Sequence, residues 1–280
     1  MIINMAIDQA SKLLEKNDIA SHLLDSEILM SKVINKDREH LMLNLNKKLD
    51  SHDYDYYKKL VYSRSKGKPI AYLIGKKAFW KDEFEINDKV LIPRPDTELI
   101  IEQVLRIYNN KSQINLLEIG FGSGCIILSI LKEKKYFLGK GIDLSKECIE
   151  ICNINAKKLK VSNRLKLFKS DVDNFYLGKY DLIISNPPYI KKLDLRYLDK
   201  DVINFEPIIA LDGGLEGLSE IRKVIDKSSE LIKKKGKLIL EIAFDQKKKV
   251  REMLINKGFY VDRVVKDLAS NDRCIISTKI

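Results

Sequence analysis

Apolar residues in the later part of the chain alternate between short continuous runs and helical spacing. The continuous runs predict buried strands at residues 114–119, 137–143, 164–168, 182–185, 238–242, 260–265 and 274–278. Segments with helical spacing lie between them, at residues 123–131, 145–159 and 216–235. Alternating strands and helices predict a doubly wound, mostly parallel α/β sheet of the Rossmann-like kind, with helices on both faces.

Residues 1–75 follow a different pattern, in which apolar positions recur at helical spacing. Three such groups are present, around Ile7–Leu14, Leu24–Val33 and Tyr54–Val61. The segment has no glycine before Gly67 and no clear strand pattern. We therefore predict a small all-helical N-terminal domain over residues 1–75.

The segment that joins this helical region to the α/β part changes to strand-like alternation. Residues 76–92 are predicted to form a β-hairpin linker, with Asn87 and Asp88 at its turn. Pro95 then fits the first position of a helix, where its missing N–H costs nothing. We place the main domain at residues 93–280.

A glycine-rich segment follows the first predicted strand of the sheet. It consists of Gly120, Phe121, Gly122, Ser123 and Gly124. Ligands of doubly wound sheets bind at the carboxyl ends of the strands, so this segment is a candidate cofactor loop. The second and third strands end near Asp143 and Asp171. Asp143 is a candidate to accept two ribose hydroxyls, and Asp171, with Val172 beside it, a candidate to meet an adenine ring.

The fourth strand ends in a rigid polar loop, Ser185-Asn186-Pro187-Pro188-Tyr189-Ile190. Each proline fixes its own φ and lacks an N–H, so the loop presents carbonyl groups and few donors. Asn186 and Pro187 can each accept a hydrogen from an –NH₂ group, and Tyr189 can pack on a planar group. This N-P-P-Y pattern resembles the catalytic motif of S-adenosylmethionine-dependent methyltransferases that modify planar amino or amide nitrogens.

Two kinds of cofactor use a glycine loop of this general form. The dinucleotide fingerprint is G-x-G-x-x-G, whereas here Gly124 comes one residue earlier and is followed by Cys125. Glu118 before the loop also suits a cationic ammonium better than a pyrophosphate. Together with N-P-P-Y, these features favour S-adenosylmethionine over a nicotinamide cofactor.

Composition is typical of a globular protein, with 45% hydrophobic and 32% charged residues. No apolar run approaches membrane-spanning length, and Asp8 and Lys12 come too early for a secretory signal. The four cysteines form no C-x-x-C pair and the three histidines have no ligand spacing, so we predict no metal site. We expect a cytoplasmic protein with reduced thiols and no membrane partner.

The net charge of +11 has two interpretations. A basic chain can bind nucleic acid, or its lysines can be spread over exposed faces. The lysine clusters at residues 233–235 and 247–249 are interpreted as a helix end and a helix start, and neither is interleaved with aromatic residues. This favours dispersed lysines and no direct nucleic-acid partner.

Several longer motifs resemble the release factor glutamine N5-methyltransferases, the PrmC/HemK family, over nearly the whole chain. They are P-R-P-D-T-E at 93–98, S-N-P-P-Y-I at 185–190, F-E-P at 205–207 with A-L and G-G at 210–214, and K-D-L with N-D-R at 266–273. Departures are Glu118 where aspartate is usual, Phe121 where threonine is common, and Ser270 where glycine is frequent.

The resemblance implies a seven-stranded sheet with a reversed last strand and with the first and fourth strands adjacent. It implies methylation of the glutamine of the release factor GGQ motif, and an N-terminal domain that recognises the release factor. Asn186, Pro187 and Tyr189 are then the expected catalytic residues, residues 186–189 bind the substrate, and Asn186 is also expected to contact the cofactor. Two alternatives remain: amino methylation of DNA or RNA bases, and a non-catalytic RNA- or ribosome-binding protein on the same fold.

Overall fold

The computed structural model describes residues 1–108 and 113–280. The chain forms two compact units, which we treat separately. One consists of Met1–Lys76 with Asp199–Phe205, and the other of Lys77–Leu198 with Glu206–Ile280.

The first unit is helical, as its apolar spacing predicts. Its first five helices are α1 (Ile3–Glu15), α2 (His22–Val33), α3 (Arg38–Leu43), α4 (Ser51–Ser65) and α5 (Ile70–Ile74). Leu14, Leu29, Met30 and Leu41 are fully buried in its core. Helices α3 and α5 were not predicted, since six and five residues are too few to repeat a helical period.

A two-stranded hairpin follows, but its turn differs from the prediction. Strand β1 is Lys76–Phe79 and β2 is Asp82–Glu85, so the turn lies at Trp80 and Lys81 instead of Asn87 and Asp88. Trp80 has a left-handed φ of 56°, which is rare for an aromatic residue and gives no sequence signal. Its backbone N–H donates to Glu98 at 2.7 Å and its indole N–H to Glu133 at 3.0 Å, which fixes this turn.

The second unit contains a seven-stranded sheet with the order β5-β4-β3-β6-β7-β9-β8. Its elements and the intervening α9 are, in chain order, α6 (Glu98–Ile107), β3 (Ile114–Ile119), α7 (Cys125–Glu133), β4 (Phe137–Asp143), α8 (Lys146–Lys158), β5 (Leu165–Lys169), β6 (Tyr180–Ser185), α9 (Lys200–Phe205), α10 (Ser219–Leu231), β7 (Ile232–Glu241), α11 (Lys247–Asn256), β8 (Phe259–Lys266) and β9 (Asp272–Lys279). The last strand, β9, runs antiparallel to both of its neighbours. The expected α/β fold, the reversed last strand and the adjacency of β3 and β6 are confirmed.

The lysine cluster at residues 233–235 lies in a strand, which corrects its assignment to a helix end. Helix α10 ends at Leu231 and β7 begins at Ile232. Lys235 has a φ of 63°, and a Cβ on Gly236 would lie 2.7 Å from the Ile232 side chain. Glycine therefore permits close packing within an irregular strand here, where the sequence suggested a helix stop.

Candidate functional site

The two loops with candidate chemistry begin side by side. Strands β3 and β6 are parallel, and Ile119 is the register partner of Ser185. The Ser185 hydroxyl donates to the Ile119 carbonyl at 2.7 Å, and both residues are buried. The glycine loop and the N-P-P-Y loop therefore leave the sheet at neighbouring points on its carboxyl edge.

One cavity of about 680 Å³ is lined by both loops. Most of the predicted site residues are on its wall: Gly120, Phe121, Gly122, Ser123, Asp143, Asp171, Val172, Asn186, Pro187 and Pro188. Gly124 and Tyr189 are not among the described residues that line it. The cavity thus brings together residues from β3, β4, β6 and the segment that follows β5, which are distant in sequence.

The three glycines of the loop have different roles. All have positive φ values, 71° for Gly120, 53° for Gly122 and 80° for Gly124. A Cβ on Gly120 or Gly122 would meet nothing within 4 Å, so these two need glycine for their backbone conformation and face open space. A Cβ on Gly124 would lie 2.3 Å from the Cys152 sulfur, so Gly124 serves packing against α8.

Gly124→Ala is expected to lower the free energy of unfolding by about 2–4 kcal/mol, because overpacking adds to the left-handed backbone cost. Thermal or denaturant unfolding measures the change. In a Cys152→Ala background the contact at 2.3 Å is removed, while the Leu128 side chain stays 3.0 Å from the new Cβ, so the cost should fall toward the backbone part of about 1–2 kcal/mol. Equal costs in the two backgrounds would contradict the packing role.

Asp143 is fixed by the loop that it faces. Its Oδ2 accepts from the Gly122 N–H at 2.9 Å, and its Oδ1 from the Ser145 N–H at 3.0 Å. Each carboxylate oxygen has about two lone-pair sites, so each can still accept a further hydrogen bond. The carboxylate is held in place with acceptor capacity left on the cavity wall.

Asp171 and Val172 lie where the third strand was predicted to end. Strand β5 itself ends at Lys169, and Asp171 caps the short 3₁₀ turn of Val172–Asn174 by accepting from the Asp173 N–H at 2.9 Å. This capping bond fixes the carboxyl group at the cavity wall.

Glu118 is a buried carboxyl group on the cavity wall with an incomplete set of partners. Its Oε2 accepts from the Ile127 N–H at 3.0 Å, whereas no described residue donates to its Oε1. Burial raises the pKa of Glu118 well above its usual value, and the nearby Asp143 adds to this effect. A cationic group that entered the cavity would relieve both the missing hydrogen bond and the cost of burying charge.

Two thiols, those of Cys125 and Cys148, also line the cavity, but neither is a nucleophile. Burial raises the pKa of Cys148 to about 12 and that of Cys125 still higher. Since the thiolate is the nucleophile, both sulfurs stay protonated and inert at neutral pH.

In the N-P-P-Y loop, one end of the Asn186 amide is already engaged. Its Nδ2 donates to the Thr97 hydroxyl oxygen at 3.2 Å. No hydrogen bond within the described chain engages its Oδ1 or the Pro187 carbonyl. Both acceptors are therefore available on residues that line the cavity.

Tyr189 faces a different environment from its neighbours in the loop. Its hydroxyl donates to Glu241 Oε1 at 3.0 Å, and its ring packs against the core of the sheet. Its expected contact with a planar substrate group stays a prediction, because the described cavity wall does not include it.

The structure adds residues to the site that sequence reasoning treated only as family motifs. Arg94 lines the cavity and pairs with the buried Glu206 of the F-E-P segment, which also accepts from the Ile92 N–H at 3.3 Å. Thr97 contacts Asn186. A weak signal was present, since Arg94 and Glu206 carry opposite charges, but their separation in the sequence does not reveal that they meet.

The motif departures have local structural consequences. The Phe121 ring packs over β4, where a Cβ on Gly141 would lie 2.7 Å from it. Ser270 has a left-handed φ of 65°, the conformation that glycine adopts without strain. The turn still closes, because Ser270 N–H donates to the Asp267 carbonyl at 3.0 Å.

One group of possible metal ligands occurs among the described residues, formed by Asp50, His52 and Asp53. It is exposed or half-buried, and the Asp50 carboxylate caps α4 by accepting from the Asp53 N–H at 2.8 Å. A helix cap accounts for this arrangement.

None of the helices in the described residues combines the length and the apolar composition that crossing a membrane requires.

Sequence comparisons identify similar proteins over the whole chain. Residues 5–75 match the PrmC N-terminal domain family and residues 96–204 the methyltransferase small domain family. A release factor glutamine methyltransferase of Clostridium acetobutylicum is 33% identical over 282 residues, covering 100% of this chain and 99% of that protein. One from Buchnera aphidicola is 35% identical, covering 91% of this chain and 92% of the relative.

Longer relatives also match. A bifunctional methyltransferase of Rickettsia conorii is 33% identical over 99% of this chain, which spans 58% of that protein's length. Among solved structures, a Pyrococcus furiosus methyltransferase has a TM-score of 0.52 at 20% identity, covering 70% of this chain and 88% of that one. A ribosomal protein L11 methylase of Lactobacillus delbrueckii has a TM-score of 0.51 at 16% identity, with coverage of 70% and 84%. These two structures share the fold.

Proposed function

This chain belongs to the family of release factor glutamine methyltransferases, and we propose that it methylates a glutamine side-chain amide nitrogen in peptide chain release factors. The methyl donor we propose is S-adenosyl-L-methionine, with no metal ion. One observation carries the proposal: the glycine loop and the N-P-P-Y loop begin side by side and line one cavity. The names of the relatives supply the class of acceptor.

The residues of the cavity fit this donor. The open space at Gly120 and Gly122 accommodates a ligand against the backbone, and Asp143 keeps acceptor capacity for ribose hydroxyls. The unpartnered Oε1 of Glu118 suits the ammonium group of a methionine moiety. Asp171 and Val172 supply a polar and an apolar contact for the adenine ring.

In this proposal, the N-P-P-Y loop aligns the acceptor. Bound S-adenosylmethionine supplies an electrophilic methyl group on a sulfonium. The Asn186 Oδ1 and the Pro187 carbonyl accept the two N–H hydrogens of the substrate amide and hold its nitrogen toward the donor. An amide nitrogen is a weak nucleophile, so this orientation is the main contribution of the protein. The same oxygens favour the positive charge that develops on nitrogen.

Transfer of a labelled methyl group tests this function directly. Purified release factor, DNA and ribosomal RNA are each incubated with the protein and labelled donor. We expect label on the release factor alone, and none when the acceptor glutamine of the factor is replaced by alanine. Label on DNA or RNA, with an unlabelled release factor, would favour base methylation instead.

We propose that the N-terminal helical unit docks the release factor. The domain boundaries we propose are residues 1–75 for docking, 76–92 for the hairpin and 93–280 for catalysis. Since β1 begins at Lys76, a truncated protein that starts at Gly75 keeps the hairpin whole. It should bind the donor with unchanged affinity but methylate intact release factor at least 10-fold less efficiently, through a higher KM.

Steady-state kinetics on intact release factor and on a short glutamine peptide measure this effect. The peptide is the control, because docking contributes nothing to it and both proteins should use it equally. Full activity of the truncated protein on the intact factor would refute the docking role.

The four free cysteines fit a reducing compartment, so we place the reaction in the cytoplasm.

A further inference from the structure

A chain of polar groups lies behind Asn186. The Asn186 Nδ2 donates to Thr97 Oγ1 at 3.2 Å, and the Thr97 hydroxyl lies beside the Glu241 carboxylate. The Tyr189 hydroxyl donates to Oε1 of the same carboxylate at 3.0 Å. Thr97 is only 3% exposed and Glu241 2%, so water has little access to this chain. It connects two residues of the N-P-P-Y loop to the end of β7.

The direction of each hydrogen bond in this series of polar groups depends on which groups carry a hydrogen. An ionised carboxylate only accepts, and the Oε2 of Glu241 has no donor among the described residues. A buried acceptor without a partner is costly, and the O–H of the adjacent Thr97 can donate the missing hydrogen bond. The Thr97 oxygen can then only accept a hydrogen bond from Asn186, so the –NH₂ end of the Asn186 amide must face it.

The surroundings of Glu241 act on its pKa in both directions. Burial raises the pKa of Glu241 above its usual value and Asp96 adds to this rise, whereas the Thr97 and Tyr189 hydroxyls and the Arg273 guanidinium oppose it. Arg273 is in turn held by Asp267 at 2.9 Å and by Asp96 at 3.5 Å. The tail motif, P-R-P-D-T-E and N-P-P-Y therefore meet around one buried carboxylate.

We propose that Thr97 and Glu241 are positioning residues, which fix the Asn186 amide with its oxygen toward the acceptor. A flipped Asn186 would present –NH₂ to the substrate –NH₂, where neither group can accept. The inference rests on the proposed function, since this orientation is needed only if the nitrogen that receives the methyl group carries hydrogens. It assigns to these two residues a role that they perform through Asn186.

Paired substitutions at Thr97 test the inference. Thr97→Val keeps the shape and removes the hydroxyl, whereas Thr97→Ser keeps the hydroxyl. With saturating donor, the single-turnover rate on release factor should fall roughly 10-fold or more for valine and stay within a few-fold for serine. The dissociation constant of the donor should change less than a few-fold in both. Thr278→Val, at the only other threonine of the chain, is the matched control and should keep the full rate.

Glu241→Gln tests the origin of the polarity. The glutamine amide can donate toward Thr97 or Tyr189, so the rate should again fall roughly 10-fold or more. In a protein that already carries Thr97→Val and Tyr189→Phe, the same change should cost less than about three-fold, because Glu241 acts through those hydroxyls. A full loss in that background would show that Glu241 acts by another route.

A spectroscopic measurement keeps the test independent of activity. The side-chain –NH₂ of Asn186, assigned in ¹⁵N-labelled protein, should exchange with solvent slowly in the wild type and Thr97→Ser, and faster in Thr97→Val. A wild-type rate in Thr97→Val, or equal impairment of the valine and serine variants, would overturn the inference. Failure of the wild-type protein to methylate release factor would overturn the proposed function instead, while the exchange pattern would still report on Asn186.

Discussion

Asn186→Ala is expected to lower the single-turnover rate of release factor methylation by on the order of 10²-fold or more. The substitution removes the Oδ1 acceptor from the cavity wall, while Pro187 and Pro188 keep the loop backbone in place. The substrate amide then loses one of its two proposed hydrogen-bond acceptors. A displacement of about 1 Å between reacting atoms is enough for a loss of this size.

Measurements with saturating donor separate this effect from donor binding. Calorimetry should give a dissociation constant close to that of the wild type, because the residues proposed to contact the donor ribose and ammonium are unchanged. Asn256→Ala, at an exposed position at the end of α11, is the matched control and should keep the full rate. A rate within a few-fold of wild type for Asn186→Ala would show that the loop is structural.

Asn186→Asp is the more informative variant. It keeps an acceptor oxygen toward the cavity, so it should retain more activity than the alanine variant. It also replaces the –NH₂ that donates to Thr97 with a second acceptor, which competes with Glu241 for the Thr97 proton. We therefore expect a rate between those of alanine and wild type. An aspartate variant no faster than alanine would show that hydrogen-bond acceptance alone is insufficient.

Much of the fold follows from local sequence signals, because the strands are buried on both faces. Leu116, Leu182 and Leu238 are fully buried, and such strands form continuous apolar runs with clear ends. Signals fail where the backbone conformation is set by tertiary contacts. The turn at Trp80 depends on Glu98 and Glu133, which lie 18 and 53 residues away.

The candidate site likewise contains residues that local sequence signals reveal and residues whose contacts depend on the fold. Residues at strand ends, such as Asp143 and Asn186, could be identified because the parallel sheet brings its carboxyl edges together. Glu241 also ends a strand, but its neighbours Thr97 and Tyr189 come from two separate segments. The sequence contains all three residues in recognisable motifs, yet their contacts depend on the fold around β7.

Asp143→Ala is expected to weaken donor binding by roughly 1.5–3 kcal/mol, which is the usual contribution of hydrogen bonds to a charged group. Two effects act in the same direction. The variant removes the proposed acceptor for the ribose hydroxyls, and it leaves the Gly122 and Ser145 N–H groups without their present partner. The glycine loop, which is fixed by the first of these bonds, would then have to be ordered when the donor binds.

Calorimetry with donor and with S-adenosylhomocysteine distinguishes a ribose contact from a contact with the reacting methyl group. Both ligands carry the same ribose, so Asp143→Ala should weaken both by the same factor. Asp55→Ala, which removes an exposed carboxylate on α4, should leave both affinities unchanged. Loss of donor affinity alone would move the role of Asp143 from the ribose to the sulfonium. Unchanged affinity for both ligands would exclude Asp143 from the binding site, since a carboxylate that accepts ribose hydroxyls cannot be removed without cost.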